Sequence, residues 1–210
     1  MDLMHRRSPG SMRAFYNRIA RLYFPIERAV DAILGGIEER WIAALPGART
    51  QSAIDYACGS GSFTLLLARH FRSVEGRDAA EKMVESARRR ADKAGVPVVF
   101  SIGDLLSIQE ADGSFDRVFM SYALHLFPPE QIPGILRRLY RVARESVMIV
   151  DHPRKWGLGT AFMEWLEGSY YDRFIRMEFG KIAAEIGARF FREWQTGTAT
   201  ILIFSKNHPV

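Results

Sequence analysis

Between Met12 and Ala44 the apolar residues Phe15, Ile19, Leu22, Ile26, Val30, Ile33, Leu34, Ile37 and Trp41 recur at the spacing of amphipathic helices. Pro25 interrupts the run and predicts two helices, because proline removes a backbone donor and its ring clashes with the preceding turn. Leu45-Pro46-Gly47 then punctuates the chain, and the pattern changes to short β-type runs separated by helical stretches. Strands are expected over Ala53–Ala57, Val74–Asp78, Val98–Ile102, Phe115–Ser121 and Ser146–Asp151, with helices near Ser62–Phe71, Ala80–Ala94 and Pro129–Ala143.

This alternation implies a parallel sheet covered by helices on both faces, since parallel neighbours need a crossover and the crossover is usually a helix. The near-continuous apolar run Val147–Val150 suits a central strand buried on both sides. The chain ends differently. Arg189–Trp194 and Ala199–Phe204 are separated only by Gln195–Thr198, a connection too short for a parallel return, so this pair is an antiparallel hairpin. The expected class is therefore α/β, a Rossmann-like three-layer αβα sandwich.

At 210 residues, with 48% hydrophobic and 25% charged positions, the chain fits one compact globular unit. A single cysteine, Cys58, excludes an internal disulfide framework and a multi-cysteine zinc site, and suits a reducing compartment, with the cytoplasm the default. No apolar run reaches the length of a membrane span, and the opening residues Met1–Arg7 lack the apolar stretch of a secretion signal. The net charge of +5 raises nucleic acid as a partner, but the cations fall into two groups, Arg88, Arg89, Arg90 and Lys93, and Arg137, Arg138, Arg141 and Arg144. Both groups lie on helical stretches and read as solvated helix faces.

The most informative stretch is Asp55-Tyr56-Ala57-Cys58-Gly59-Ser60-Gly61, at the junction of the first strand and its helix. Gly59 and Gly61 allow tight turning and close ligand approach beside a helix start with unpaired N–H groups. A Gly-x-Gly alone is weak evidence. Nineteen positions after Gly59, Asp78 ends the next strand, at the spacing at which a carboxylate accepts ribose hydroxyls in nucleotide-binding βαβ units; it also reads as a helix cap. Gly103-Asp104-Leu105 and Ser114–Val118 follow in order.

Together these four motifs resemble those of class I S-adenosylmethionine-dependent methyltransferases, in wording similar to the group containing the ubiquinone and menaquinone biosynthesis and many small-molecule enzymes. The opening Phe15–Ala20 is similar to that group's N-terminal helix. The resemblance implies S-adenosylmethionine as cofactor and a seven-stranded sheet ordered 3-2-1-4-5-7-6. It also implies a helical cap over residues 1–46 and a cofactor-binding domain over 47–210. By the same resemblance Asp55 orders the loop, Ala57, Gly59 and Gly61 lie against the amino-acid part of the cofactor, and Asp78 binds the ribose. Ala79 or Met83 flanks the adenine, Asp104 and the Leu105 backbone meet its edge, and Ser121 and Tyr122 line the methionine side. Ala57 stands where the family usually has glycine, which is tolerable if that residue keeps an ordinary strand conformation. Cys58 reads as a small buried residue.

Methyl transfer from a sulfonium needs in-line approach with water excluded, and no metal. A base is needed only for a protonated acceptor atom; His125, and less so His152, are candidates at carboxyl ends of strands, where open α/β sheets bind ligands. The aromatic residues Trp156, Phe162, Trp165, Tyr170, Tyr171 and Phe174, with Phe15, Tyr16, Tyr23 and Phe24, either form a lid for a small or amphiphilic acceptor or are core. A nucleic-acid target is disfavoured because Ser121–Leu124 replaces the Asn/Asp-Pro-Pro-aromatic motif of base-amine methylation, although a tRNA or rRNA target stays open. A nicotinamide oxidoreductase lacks its third glycine here. A non-catalytic cofactor-binding subunit is the remaining alternative.

Overall fold

The computed structural model describes residues 6–20, 37–155 and 167–207. Seven strands form one sheet: β1 (Ser52–Tyr56), β2 (Ser73–Asp78), β3 (Val99–Ile102), β4 (Phe115–Ser121), β5 (Ala143–Asp151), β6 (Phe190–Gln195) and β7 (Thr200–Ser205). Their order is β3-β2-β1-β4-β5-β7-β6, as the resemblance implies. β1 to β5 are parallel, and β7 runs antiparallel to both β5 and β6. Residues 9–20 form helix α1, followed by α2 (Ile37–Ala43), α3 (Ser62–Leu67), α4 (Glu81–Ala94) and α5 (Ile132–Val142). The short helices α6 (Tyr171–Phe174) and α7 (Phe179–Glu185) precede the hairpin. The break expected at Pro25 and the aromatic residues Tyr23, Phe24, Trp156, Phe162 and Trp165 lie outside the described residues.

The strands bury both faces because alternate side chains point to opposite sides. Ile54, Val118, Met120, Val147, Ile149, Leu202 and Phe204 face one layer, where α5 presents Ile132, Ile135, Leu136 and Leu139 at i, i+3, i+4 and i+7. Tyr171, Phe174 and Phe179 complete that layer. On the other face Ala53, Phe119, Met148, Val150, Ile201 and Ile203 pack against Phe63, Leu67 and Phe71. Each fully buried large apolar side chain contributes about 1.5–3 kcal/mol of transfer free energy. α5 starts at Ile132 and not at Pro129, because Pro133 lacks an N–H and is tolerated only in the first turn.

The two arginine groups do not behave alike. On and after α5, Arg137 pairs with Glu185, Arg141 with Asp112 and Arg144 with Asp116. On α4, Arg88 donates to the Phe100 carbonyl (2.7 Å) and Arg90 donates to Ser60 Oγ (2.6 Å) and Ser62 Oγ (2.8 Å). The reading of α4 as a solvated face is thus corrected for Arg88 and Arg90: a helix laid against β2 and β3 brings their long side chains within reach of strand and loop backbone.

Among the described residues two that are not glycine adopt left-handed backbone, Ala57 (φ 55°) and Tyr122 (φ 49°), at the carboxyl ends of the adjacent strands β1 and β4. Ala57 therefore departs from the ordinary strand conformation expected of it, because the chain must turn sharply out of β1 to start the glycine loop. The conformation costs an L-residue about 1–2 kcal/mol. Gly61 (φ 84°) has a second constraint, since a Cβ there would lie 2.9 Å from both Ala87 Cβ and Phe100 Cζ. Ala57→Gly should stabilise the fold by about 0.5–1 kcal/mol, the left-handed strain less the entropy of glycine, and Gly61→Ala should destabilise it by about 2–3 kcal/mol. Urea midpoints of the two variants check both signs.

Candidate active site

The strand order reverses between β1 and β4, where an open α/β sheet leaves a crevice at its carboxyl edge. The glycine loop occupies that edge. Gly59 N donates to Asp78 Oδ2 (2.8 Å) and Ala80 N donates to Asp78 Oδ1 (2.7 Å), so one carboxylate at the end of β2 ties the loop to the start of α4. Each oxygen takes one backbone donor and keeps a second lone pair. Burial raises the Asp78 pKa, opposed by the two N–H groups. In front of Gly59 (φ 53°) the space is open: a Cβ there would meet nothing within 4 Å. The backbone at Gly59 favours glycine, and the loop can receive a ligand against it.

Behind the loop, fully buried Asp55 accepts from Thr64 Oγ1 at 2.6 Å, which joins β1 to α3. Cys58 is buried, and burial together with the charges of Asp78 and Asp55 holds its thiol well above the usual range, which makes it an inert packing residue. Asp104 is exposed at the end of β3 and caps the turn Leu105–Ser107 through Leu106 N (2.8 Å), with Leu105 buried. Ala79 is half-buried beside Asp78. Met83 is only 1% exposed and packs under Tyr16 and Ala20 of α1. Ser121 and Tyr122 are half-buried at the end of β4, and Tyr122 N donates to the Val150 carbonyl (2.7 Å).

His125 lies in the turn after β4, as expected, but it is shut in. Its Nδ1 is 2.6 Å from Asp151 Oδ1 and its Nε2 is 3.5 Å from Glu167 Oε2. All three residues are buried. Burial by itself would lower the His125 pKa; the charges and hydrogen bonds of Asp151 and Glu167 overcome this and raise it well above the imidazole range. Asp151 responds in the opposite sense: burial pushes it up, and His125 brings it below the usual carboxylate range. A charged imidazolium has no lone pair, so in this arrangement His125 cannot take a proton from an acceptor.

His152, the residue after β5, is half-buried in front of this cluster, with its ring 4.7 Å from His125 and 5.1 Å from Tyr122 between centroids. Burial, with help from the His125 charge and against Asp151 and Glu167, pushes it down to about 4. It is a neutral imidazole at pH 7.

The N-terminal segment spans this edge. Lys82 N donates to Asn17 Oδ1 (2.9 Å), Tyr16 Oη donates to Glu167 Oε1 (3.2 Å), Arg7 N donates to the Gly168 carbonyl (2.9 Å) and Arg6 pairs with Asp172 (3.0 Å). Glu167 and Arg90 were not singled out for a site role from the sequence: Glu167 meets His125 across 42 positions, and no local pattern signals that meeting. Among the described residues no group of His, Cys, Asp and Glu could hold a metal ion, and no helix is long and apolar enough to cross a membrane.

Sheet order, glycine loop and acidic strand ends together define the Rossmann-like fold that methyltransferases share. Residues 53–146 match the family model described as a methyltransferase domain, and the chain is similar in sequence and in fold to S-adenosylmethionine-dependent methyltransferases. It is 28% identical over 179 residues to 2-phytyl-1,4-naphtoquinone methyltransferase of Synechococcus elongatus, covering 80% of this chain and 73% of that protein. Demethylmenaquinone methyltransferase of Thermus thermophilus is 30% identical over 141 residues, covering 64% and 61%. Among solved structures, magnesium protoporphyrin IX methyltransferase of Synechocystis with bound SAH superposes with TM-score 0.63 at 22% identity, covering 91% of this chain and 86% of that one. A SAM-dependent methyltransferase of Aquifex aeolicus gives TM-score 0.63 at 20% identity, covering 80% and 89%. These superpositions show the shared fold.

The two histidines make opposite contributions to stability against pH. His125, raised in the folded state, stabilises fully below its unfolded value of 6.5 and loses that contribution as pH rises through its folded pKa. His152, depressed to about 4, leaves the unfolded chain binding a proton that the folded chain refuses between pH 6.5 and 4, so stability falls with pH across that window. Between pH 7 and pH 4 the protein should lose about 2–3 kcal/mol more than His152→Gln, measured by denaturant titration at each pH.

Proposed function

We propose that the enzyme methylates a small aromatic acceptor of the quinol type, with an apolar substituent, by direct in-line transfer from S-adenosylmethionine. The observation that carries the cofactor reading is the double hold of Asp78 on Gly59 N and Ala80 N beside the open space at Gly59. The remaining lone pairs of Asp78 suit the two ribose hydroxyls. Asp55, Ala57, Gly59 and Gly61 take the amino-acid part of the cofactor, Ala79 and Asp104 with the Leu105 backbone take the adenine, and Ser121 and Tyr122 take the methionine side. Met83 supports the adenine side from beneath α1. Residues 1–46 serve as a cap over the domain formed by 47–210.

The acceptor reading rests on the aromatic rings of Tyr122 and His152 at the carboxyl edge, and on the quinone-type substrates that the relatives' names carry. A flat ring stacks against such walls, and bringing it in line with the sulfonium methyl with water excluded supplies most of the acceleration. His125 acts here as a positioning residue: its charge holds Asp151 and Glu167 in place, and Glu167 in turn holds Tyr16.

Calorimetry with S-adenosylhomocysteine tests the cofactor site. Asp78→Ala should weaken binding about ten- to a hundredfold, as expected for loss of a charged hydrogen-bond acceptor worth about 1.5–3 kcal/mol. Unchanged affinity would remove Asp78 from the ribose. Transfer of labelled methyl to a reduced 2-prenyl-1,4-naphthoquinol, set beside phospholipid head groups, small amines and bulk tRNA, tests the acceptor class, and transfer to tRNA alone would overturn it.

A further inference from the structure

The cleft edge carries two imidazoles, and they are not equivalent. His125 presents both ring nitrogens to carboxylates and is 1% exposed. His152 is half-buried, and among the described residues neither of its ring nitrogens makes a hydrogen bond or lies sealed from solvent. Its backbone N–H donates to Asp151 Oδ1 (2.7 Å), which anchors the residue to the buried cluster while the side chain keeps partial exposure. The ring stands against Tyr122 at the end of β4 and 6.0 Å from Tyr171 of α6. Tyr122 closes β4 beside the strand that feeds the glycine loop.

We propose that His152 is the group that meets the acceptor hydroxyl and takes its proton as the methyl moves, with His125 held behind it. This rests on the quinol reading above. The groups facing His152 are Asp151 on β5, His125 in the turn after β4, Tyr122 at the end of β4, Tyr171 on α6 and, at longer range, Glu167. Burial, and after it the charge of the His125 ring, keeps a second proton off His152, so a lone pair is available at neutral pH.

In the step, the acceptor O–H proton passes to a ring nitrogen of His152, and the oxygen's electron pair is delocalised onto the adjacent ring carbon. That carbon forms a C–C bond to the methyl as the methyl–sulfur bond breaks, and the sulfur keeps the bonding pair. The ring carbon then loses its own proton to solvent while the carbonyl oxygen takes one back, which restores aromaticity and the hydroxyl. His152 beside a charged His125 sheds its proton to water, so one proton is released per turnover and the base is regenerated. The low basicity of His152 means that proton transfer accompanies carbon–sulfur cleavage and does not precede it.

The test is steady-state kinetics of His152→Ala and the near-isosteric His152→Gln with a 2-prenyl-1,4-naphthoquinol kept reduced. Calorimetry with S-adenosylhomocysteine serves as the check of fold and cofactor site. The expected result is a fall in kcat of about a hundredfold in both variants, with the affinity for S-adenosylhomocysteine within twofold of the parent. In the parent, kcat/KM should fall on the acid side near pH 4 and not near 6.5, since the base must be unprotonated. A parent that turns over the quinol while both variants keep kcat within threefold overturns the assignment of His152 alone. A parent that binds S-adenosylhomocysteine and leaves the quinol untouched overturns the acceptor reading, and the proposal with it.

Discussion

The carboxylate of Asp78 takes the Gly59 and Ala80 N–H groups on separate oxygens, so that the loop leaving β1 and the helix leaving β2 share one anchor. Everything at the cofactor edge is referred to that anchor. The loop passes through left-handed backbone at Ala57, Gly59 and Gly61, a path that local propensity does not favour for alanine, and the chain keeps it because neighbouring groups over-determine it. Arg90 grips Ser60 and Ser62 from the α4 side, and Cys58 N donates to the Arg77 carbonyl. A loop held in this way has little conformational entropy left to lose when a ligand arrives.

The ends of β4 and β5 are organised by charge. Asp151, His125 and Glu167 lie in a row out of water, and each of the three would be costly to bury alone. Together they join the ends of β4 and β5 to residues 167–172, and Glu167 carries the connection on to Tyr16 in α1. The row also bears on the neighbouring imidazole: burial keeps a second proton off His152, and the charge of His125 adds to it. Two residues of one chemical type at one sheet edge thereby acquire different chemistries from their surroundings alone.

Much of this was legible in the chain. The sheet order was implied by the family resemblance that the motif series carries, and the antiparallel hairpin followed from the short link between the last two strands, because a connection of that length excludes a parallel return. Gly59, Asp78 and Asp104 lie at the strand ends their spacing indicated. The conformation of Ala57 was not legible, since a motif reports residue type and not φ, and the turn out of β1 overrides the preference of alanine. Arg88 and Arg90 follow the same rule as the outward arginines of α5 in sequence and differ only because β3 and the glycine loop lie within reach. The environment of His125 was hidden for a topological reason: its partners are 26 and 42 positions away, and they meet it only when β5 lies beside β4 and residues 167–170 return over both.

The interposed position of β7 has a consequence for vectorial synthesis. β6 has no neighbour in the sheet except β7, yet it leaves the ribosome first. Until β7 follows, β6 has nowhere to dock and the outer side of β5, apolar through Val147–Val150, stays open. The nascent chain therefore carries an unsatisfied strand edge through the translation of residues 152–199, a stretch that ends only when Thr200–Ser205 slides between the two. Pairing across such a separation is slow to close, and it is in that interval that a translating copy most needs shielding from its neighbours on the same message.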